Sequence, residues 1–466
     1  MSYSSGQDLV IIASPFNIGI GGFKRSFKVL PYLLDKISKD DSLSINKVVL
    51  YIPATSLRAV LKIFLQKYKD IDLSIEKTYK LLDQTLNTIK NSCRIIDLNK
   101  EFLEEALTYN ISLLRNEFSK GSSISTYLLK LRTFNVLAIS KFEEKFINKF
   151  ININYKRISP KFIYSMHETV ESIKPLNLFL NKWNCYCAIM LQLAPFVFKI
   201  PYSNTRSLDL LLEQSYIRKL YLSIFNSNKL RMLLSVSAAP LVESPVSSLA
   251  YRYKSKVVVI KPSNAIDTTV NSFRRSKKRS LNTVFFGRLS PEKGIFDLLK
   301  IWKVVINKVP KAKLYVIGSF PDEKVRLKFI NLIKHLNIHK NVILIGYIDR
   351  EEDLYKIVSA SRILLYPSYS DAFPLTVLEA IALGLVVIAY KIPALYFMFK
   401  DLPQVFLIRP GDIYKMAYTV IKILHINDET FNNLTNNELT EKFIKLHSSW
   451  YKVAETEYLA LKNVIK

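Results

Sequence analysis

The sequence predicts an α/β protein of two doubly wound, Rossmann-like parallel sheets facing each other across a cleft. Three observations predict it. At 466 residues the chain exceeds what a single hydrophobic core usually serves. From Leu281 onward, strand-like and helical patterns alternate regularly. The first half follows the same grammar less cleanly, and with 49% hydrophobic and 12% aromatic residues the composition excludes disorder.

Strand patterns in the first half fall at 9–14, 47–52, 161–166, 231–236 and 256–260, each a short apolar run between polar stretches. Gly19, Gly21 and Gly22 follow the first strand and open a helix, a turn in which backbone amides can approach a phosphate. From Thr55 to Phe150 the pattern is mostly amphipathic helix. Apolar periodicity then stops between Pro262 and Ser280, where charge accumulates. In the second half, strands are expected at 283–286, 313–317, 341–345, 362–366, 385–390 and 405–408. The domain expectation is therefore 1–265, a basic linker at 266–280, 281–445, and a closing helix at 446–466 that returns to the first domain.

Charge is unevenly spread. Residues 1–280 hold 42 Lys and Arg against 21 Asp and Glu, so most of the net charge of +28 belongs to the first half. The run Phe273–Ser280 contributes five of these cations and reads as a solvated linker. The remaining surplus implies attraction to an anionic partner such as acidic lipid, while the absence of a recognition module argues against specific nucleic-acid binding. Cys93, Cys185 and Cys187 form neither a disulfide framework nor a metal set, which suits a reducing compartment. Met1–Asp8 lacks the basic region of a secretory signal, and the longest apolar stretch, Cys185–Phe198, falls short of the ~20 residues a membrane helix needs. A cytoplasmic protein, peripheral at a membrane if it touches one, is the expectation.

Two strand-to-helix turns carry the chemistry. Gly287-Arg288-Leu289-Ser290-Pro291-Glu292-Lys293-Gly294 places two cations five residues apart at a helix start, where they can converge on one anion and add to the helix dipole. Asp371 to Glu379 places one carboxylate in the loop before a helix that Pro374 can begin, and a second inside that helix. Both turns follow strands, where open α/β sheets bind ligands. Cations fixed at a diphosphate stabilise the charge that develops as it leaves. Taken singly, Arg288 or Lys293 reads better as a solvated surface charge and Glu379 as an ordinary helix-surface glutamate, but the pair of cations bracketed by Gly287 and Gly294 points to function; His167, at the end of a predicted strand, reads singly as a structural hydrogen-bonding residue.

These residues, with Val316-Ile-Gly318-Ser319, Gly346-Tyr-Ile348, Tyr366-Pro-Ser368, Ala380, Gly384 and Arg409-Pro-Gly-Asp412, resemble a GT-B glycosyltransferase of family 4, most strongly from Val284 to Asp412. Weaker matches occur at Gly21-Gly22, Tyr164–Glu168, Ser235-Val-Ser237 and Lys261–Asp267. The resemblance implies a retaining enzyme that uses a nucleotide diphosphate-sugar as donor, without a metal or other cofactor. It implies that Arg288 and Lys293 hold the diphosphate, Asp371 and His167 contact the donor sugar, and Glu379 accepts the ribose hydroxyls. Backbone groups of Gly21, Gly22, Gly287, Phe373, Leu375 and Thr376 would line the donor, and the Gly346–Ile348 turn would meet the base. The family usually has glutamate where this chain has Asp371, and glycines in the segment Tyr390–Leu402 that this chain lacks. The acceptor, a carbohydrate, lipid or protein, would be met by the first domain. A catalytically impaired glycan- or nucleotide-binding protein is the alternative.

Overall fold

The computed structural model describes residues 6–16, 21–121, 123–124, 136–192, 208–225, 227–239, 257–274, 280 and 282–465. The first domain contains β1 (Gln7–Ile12), α1 (Gly21–Ser38), β2 (Ile45–Tyr51), α2 (Ala54–Tyr68), α3 (Ile71–Ser92), β3 (Ile96–Asp97), α4 (Lys100–Ser119) and α5 (Val136–Asn154). It continues through β4 (Pro160–Ser165), α6 (Val170–Lys182), β5 (Tyr186–Leu191), α7 (Leu208–Phe225), β6 (Leu230–Ser235) and β7 (Val257–Val259). Its strands form one parallel sheet in the order β3-β2-β1-β4-β5-β6-β7.

The second domain contains β8 (Asn282–Phe286), α8 (Ile295–Lys308), β9 (Lys313–Ile317), α9 (Glu323–His335), β10 (Val342–Gly346), α10 (Glu351–Ser359) and β11 (Ile363–Tyr366). Then follow α11 (Leu375–Ala382), β12 (Val386–Tyr390), α12 (Pro393–Phe399), β13 (Val405–Ile408), α13 (Ile413–His425), α14 (Asp428–Thr435), α15 (Glu438–Leu446) and α16 (Trp450–Ile465). The parallel sheet has the order β10-β9-β8-β11-β12-β13. In each sheet the winding direction reverses beside the first strand: between β1 and β4, and between β8 and β11. Open sheets bind ligands at such a point, beyond the carboxyl ends of the strands.

The second-half strands lie within a residue or two of their expected positions, because each is an apolar run bounded by turn residues. Two first-half strands were not expected. β5 lies inside the stretch Cys185–Phe198, and its last five residues are buried; a strand covered on both faces loses the alternation that would mark it. Residues 193–198 of that stretch lie outside the described residues. β3 has only two residues at the sheet edge, too few to carry a pattern. Among the described residues no helix is long and apolar enough to cross a membrane.

The helices between β2 and β4 pack around an aromatic cluster in which Tyr51 contacts Phe102, Phe150 and Phe179 at centroid distances of 4.9–5.6 Å. No side chain on Pro53 caps α2. The buried carboxylate of Glu143, from α5, does so instead, accepting from the amides of Thr55 at 2.6 Å and Ala54 at 3.3 Å. This matches a negative group to the positive end of a helix.

The segment expected as a linker is partly docked. Asp267 pairs with Lys28 at 2.9 Å, Thr268–Phe273 forms a 3₁₀ turn, and Arg274 donates to Thr435 O at 2.7 Å. Residues 275–279 of the basic run lie outside the described residues. α16 lies against α1 of the first domain, where Gln7 donates to Ile465 O at 2.9 Å and Lys36 pairs with Glu455 at 2.9 Å.

Candidate active site

The loops that follow β8 and β11 meet at the switch point of the second sheet. Gly294 closes the 3₁₀ turn Pro291–Lys293 with φ of 72°, and a Cβ there would lie 1.8 Å from Pro367 O. The amide of Tyr369 donates to Glu292 O at 2.9 Å. Only glycine allows this approach, and the two motifs become one backbone unit.

On this unit Lys293 Nζ lies 2.6 Å from Asp371 Oδ2 and 3.3 Å from both Tyr366 Oη and Ser370 O. The Tyr366 phenol donates to the same Asp371 oxygen at 2.6 Å, and Oδ1 accepts from the amide of Ala372 at 3.0 Å. Burial and the neighbouring carboxylate raise the Tyr366 pKa well above its ordinary value, so it stays a donor. Arg288 remains at the solvent edge, with Glu292 3.5 Å away, although its positive charge reaches Tyr366. The two cations therefore occupy different environments: Lys293 is half-buried in a close pair with Asp371, and Arg288 is exposed at the rim in a longer pair with Glu292.

Pro374 is the N-cap of α11, one residue before the helical position expected for it. The first turn of a helix leaves its leading amides without intrahelical acceptors, so those of Leu375 and Thr376 are available to a ligand. Phe373 is buried against Phe399 and His447. Thr376 Oγ1 lies 3.6 Å from where a Cβ on Gly287 would stand, so the first turn of α11 adjoins the glycine that ends β8. At the end of β10, Gly346 has φ of 87° with open space where a Cβ would be, and Ile348 is half-buried against the core.

Glu379 sits in the fifth position of α11 and is buried. Tyr355 donates to its Oε1 at 3.4 Å, and Lys24 of the first domain approaches the same oxygen at 3.3 Å. Burial raises the Glu379 pKa, partly opposed by Lys24. Lys24 Nζ also lies 2.7 Å from Glu351 Oε1, at the start of α10. The opposing wall is thus the start of α1, which Gly21 and Gly22 open; Gly19 lies outside the described residues. Ser237, donating to Ala372 O at 2.7 Å, and Lys67, 2.5 Å from Asp349, also join the two domains.

His167 is placed differently from the expected sugar contact. It is buried, with Nε2 2.7 Å from Ser26 Oγ and Nδ1 3.2 Å from Gln192 Nε2. Gln192 Nε2 also donates to Met166 O, so Nδ1 is the acceptor and Nε2–H donates to Ser26. Burial, with the nearby Arg25 charge, pushes the His167 pKa down to about 3. Both ring nitrogens are thus engaged by protein side chains, and Nε2–H ties the end of β4 to α1. Lys24 and Tyr355 are site residues that sequence reasoning missed, and Tyr366 was matched only within the Tyr366-Pro-Ser368 landmark, with no role. Lys24 had one signal, a cation two residues after the Gly21-Gly22 pair. Among the described residues no group of three or more His, Cys, Asp or Glu is placed to hold a metal ion.

Fold and site together define a two-domain GT-B architecture. Residues 269–440 match the sequence model of the family described as glycosyl transferases group 1. Over 125 residues, 27% of this chain and 34% of the relative, it is 33% identical to an uncharacterized glycosyltransferase of Haemophilus influenzae. Over 163 residues, 34% of this chain and 40% of the relative, it is 26% identical to the Escherichia coli UDP-Gal:alpha-D-GlcNAc-diphosphoundecaprenol alpha-1,3-galactosyltransferase. Such matches span only about a third of the curated relatives' length. Anabaena HepE, solved in complex with UDP and glucose, shares the fold with a TM-score of 0.62 at 12% identity, covering 98% of this chain and 100% of that one.

Proposed function

We propose that the protein is a retaining glycosyltransferase that moves a sugar from a nucleotide diphosphate-sugar to an acceptor held by the first domain, without a metal. The observation that carries this is the fusion of the two motif turns through Gly294 and Pro367, which brings Lys293 and Asp371 into contact at a sheet switch point, with Glu379 on the helix that follows Asp371. In this reading Glu379 accepts the ribose hydroxyls, and Arg288 and Lys293 offset charge on the diphosphate as the bond from the anomeric carbon to the leaving oxygen breaks. The acceptor hydroxyl adds on the same face and passes its proton to the departing phosphate. Neither carboxylate is required as a nucleophile, unlike the two-carboxylate glycosidase arrangement.

The basic first domain favours an anionic or lipid-linked acceptor, used at the cytoplasmic surface of a membrane, over specific nucleic acid. The name of the Escherichia coli relative, which specifies a diphosphoundecaprenol-linked sugar, supports that class. Thermal shift with UDP-, GDP- and ADP-sugars identifies the donor, since selective binding stabilises by mass action. Hydrolysis of that donor, abolished by Glu379→Ala or Lys293→Ala and unaffected by excess chelator, is the expected result. Loss of activity in chelator with rescue by Mg²⁺ would exclude the metal-free reading. Selective donor binding with no turnover would instead support the binding-protein reading, which the pairing of Asp371 with Lys293 and Tyr366 favours.

A further inference from the structure

The donor site assigned above already holds a cation from the other domain on one oxygen of its carboxylate: Lys24 Nζ is 3.3 Å from Glu379 Oε1, the carboxylate assigned to the ribose hydroxyls. Its side chain and that of Glu379 are only 14% and 11% exposed. A second carboxylate, Glu351 Oε1, lies closer at 2.7 Å and is 44% exposed. Lys24 is therefore shared between a buried acid inside the site and a more exposed acid at its edge.

We propose that Lys24 is a nucleoside-gating residue of the donor site, which occupies Glu379 when no donor is bound and is released onto Glu351 when ribose hydroxyls take its place. This rests on the assignment of Glu379 to the donor. The physical basis is competition. Each Glu379 oxygen can accept from the ammonium or from a hydroxyl, and the fraction of molecules with Lys24 on Glu379 raises the apparent dissociation constant by the inverse of the competent fraction. Glu351 offers the displaced ammonium a charged acceptor, so release does not leave a buried cation unpaired. Lys24 also lies in the first turn of α1, while Glu351 and Glu379 belong to the second domain. Binding of a nucleoside is thereby coupled to one of the contacts that hold the cleft closed.

The proposal makes opposite demands on the two partners of one ammonium. Lys24→Met removes the competitor and should tighten binding; Glu351→Gln removes the alternative acceptor, concentrates Lys24 on Glu379 and should weaken it. The shift in each direction should be about three- to tenfold, the scale of a partly exposed ion pair. The experiment is calorimetric titration of the full chain and both variants with UDP, GDP and ADP. General damage to the fold would weaken both variants together. Tighter binding to Lys24→Met with weaker binding to Glu351→Gln supports the gate. Unchanged or weaker binding to Lys24→Met, with the parent protein binding normally, overturns the gate and leaves the donor site standing. No binding of any of the three by the parent overturns both.

Discussion

Lys293 and Asp371, 78 positions apart, form a 2.6 Å ion pair at the meeting of the two motif turns. The cation expected to face a diphosphate thus already has a counter-charge, and the carboxylate expected to hold a sugar hydroxyl is held by protein. Asp371→Asn keeps the shape and removes the charge. Affinity for the nucleoside diphosphate should rise about tenfold as Lys293 is freed, about 1.4 kcal/mol and so just under the ~1.5–3 kcal/mol of a charge-assisted hydrogen bond, while transfer to acceptor falls. Lys293→Ala should lower both. Titration with the diphosphate and steady-state transfer rates separate the two; weaker diphosphate binding by Asp371→Asn would mean that the carboxylate serves mainly to aim Lys293.

Tyr366 tests whether that pair needs its third member. Its phenol donates to the same Asp371 oxygen at 2.6 Å, and Lys293 remains to satisfy that oxygen if the phenol is removed. Tyr366→Phe should therefore cost about 1 kcal/mol of stability and reduce turnover only about three- to tenfold. Denaturant unfolding and transfer kinetics measure the two effects. A loss of turnover as large as that of Lys293→Ala would place the phenol in the chemistry itself.

His167 gives a pH signature. Its pKa is held at about 3 in the folded protein, against an ordinary value of 6.5, so the unfolded chain takes up a proton first as pH falls. Its contribution to stability is fully present above pH 6.5 and is lost progressively as pH falls towards 3, by at most about 1.4 kcal/mol per pH unit. His167→Gln keeps an amide donor for Ser26 and an acceptor for Gln192 but cannot titrate. The stability gap between parent and variant should narrow as pH falls from 7 to 4.5. A gap that stays constant over that range would mean that the imidazole titrates normally.

The legible parts of this protein are those fixed by local pattern. The strands of the second sheet follow from apolar runs and turn residues, and the Gly287–Gly294 and Asp371–Glu379 turns from their position after strands. What escaped depends on distant contacts. β5 is buried on both faces and shows no alternation. The partners of the His167 nitrogens, Ser26 and Gln192, lie 141 and 25 positions away in the sequence. Lys24 gains a role only when the other domain presents Glu351 and Glu379. Asp371 was legible as unusual, but not as a partner of Lys293, since no periodic signal links two loops.

Arg25 and Glu457 bear on how the closing helix is held. Arg25 of α1 and Glu457 of α16 form a 2.5 Å pair, with side chains 1% and 0% exposed. Tyr164 donates to the other carboxylate oxygen at 2.6 Å, and Arg25 Nε donates to Ser263 O at 2.9 Å. Among the described residues Arg25 Nη1 has no hydrogen-bond partner, so within them the desolvated guanidinium is not fully compensated. Removing one member, as in Glu457→Ala, strands a buried cation and a phenol and should cost about 3–5 kcal/mol. Replacing both in Arg25→Met with Glu457→Leu removes the desolvation cost along with the attraction, and should recover most of that loss. Denaturant unfolding of Arg25→Met, Glu457→Leu and the variant carrying both gives the coupling directly, with Glu457→Ala as the reference for a stranded cation. If the double variant is as unstable as Glu457→Ala alone, packing of α16 rather than charge compensation governs the site; recovery would show that the pair selects the docked position of the helix more than it adds net stability.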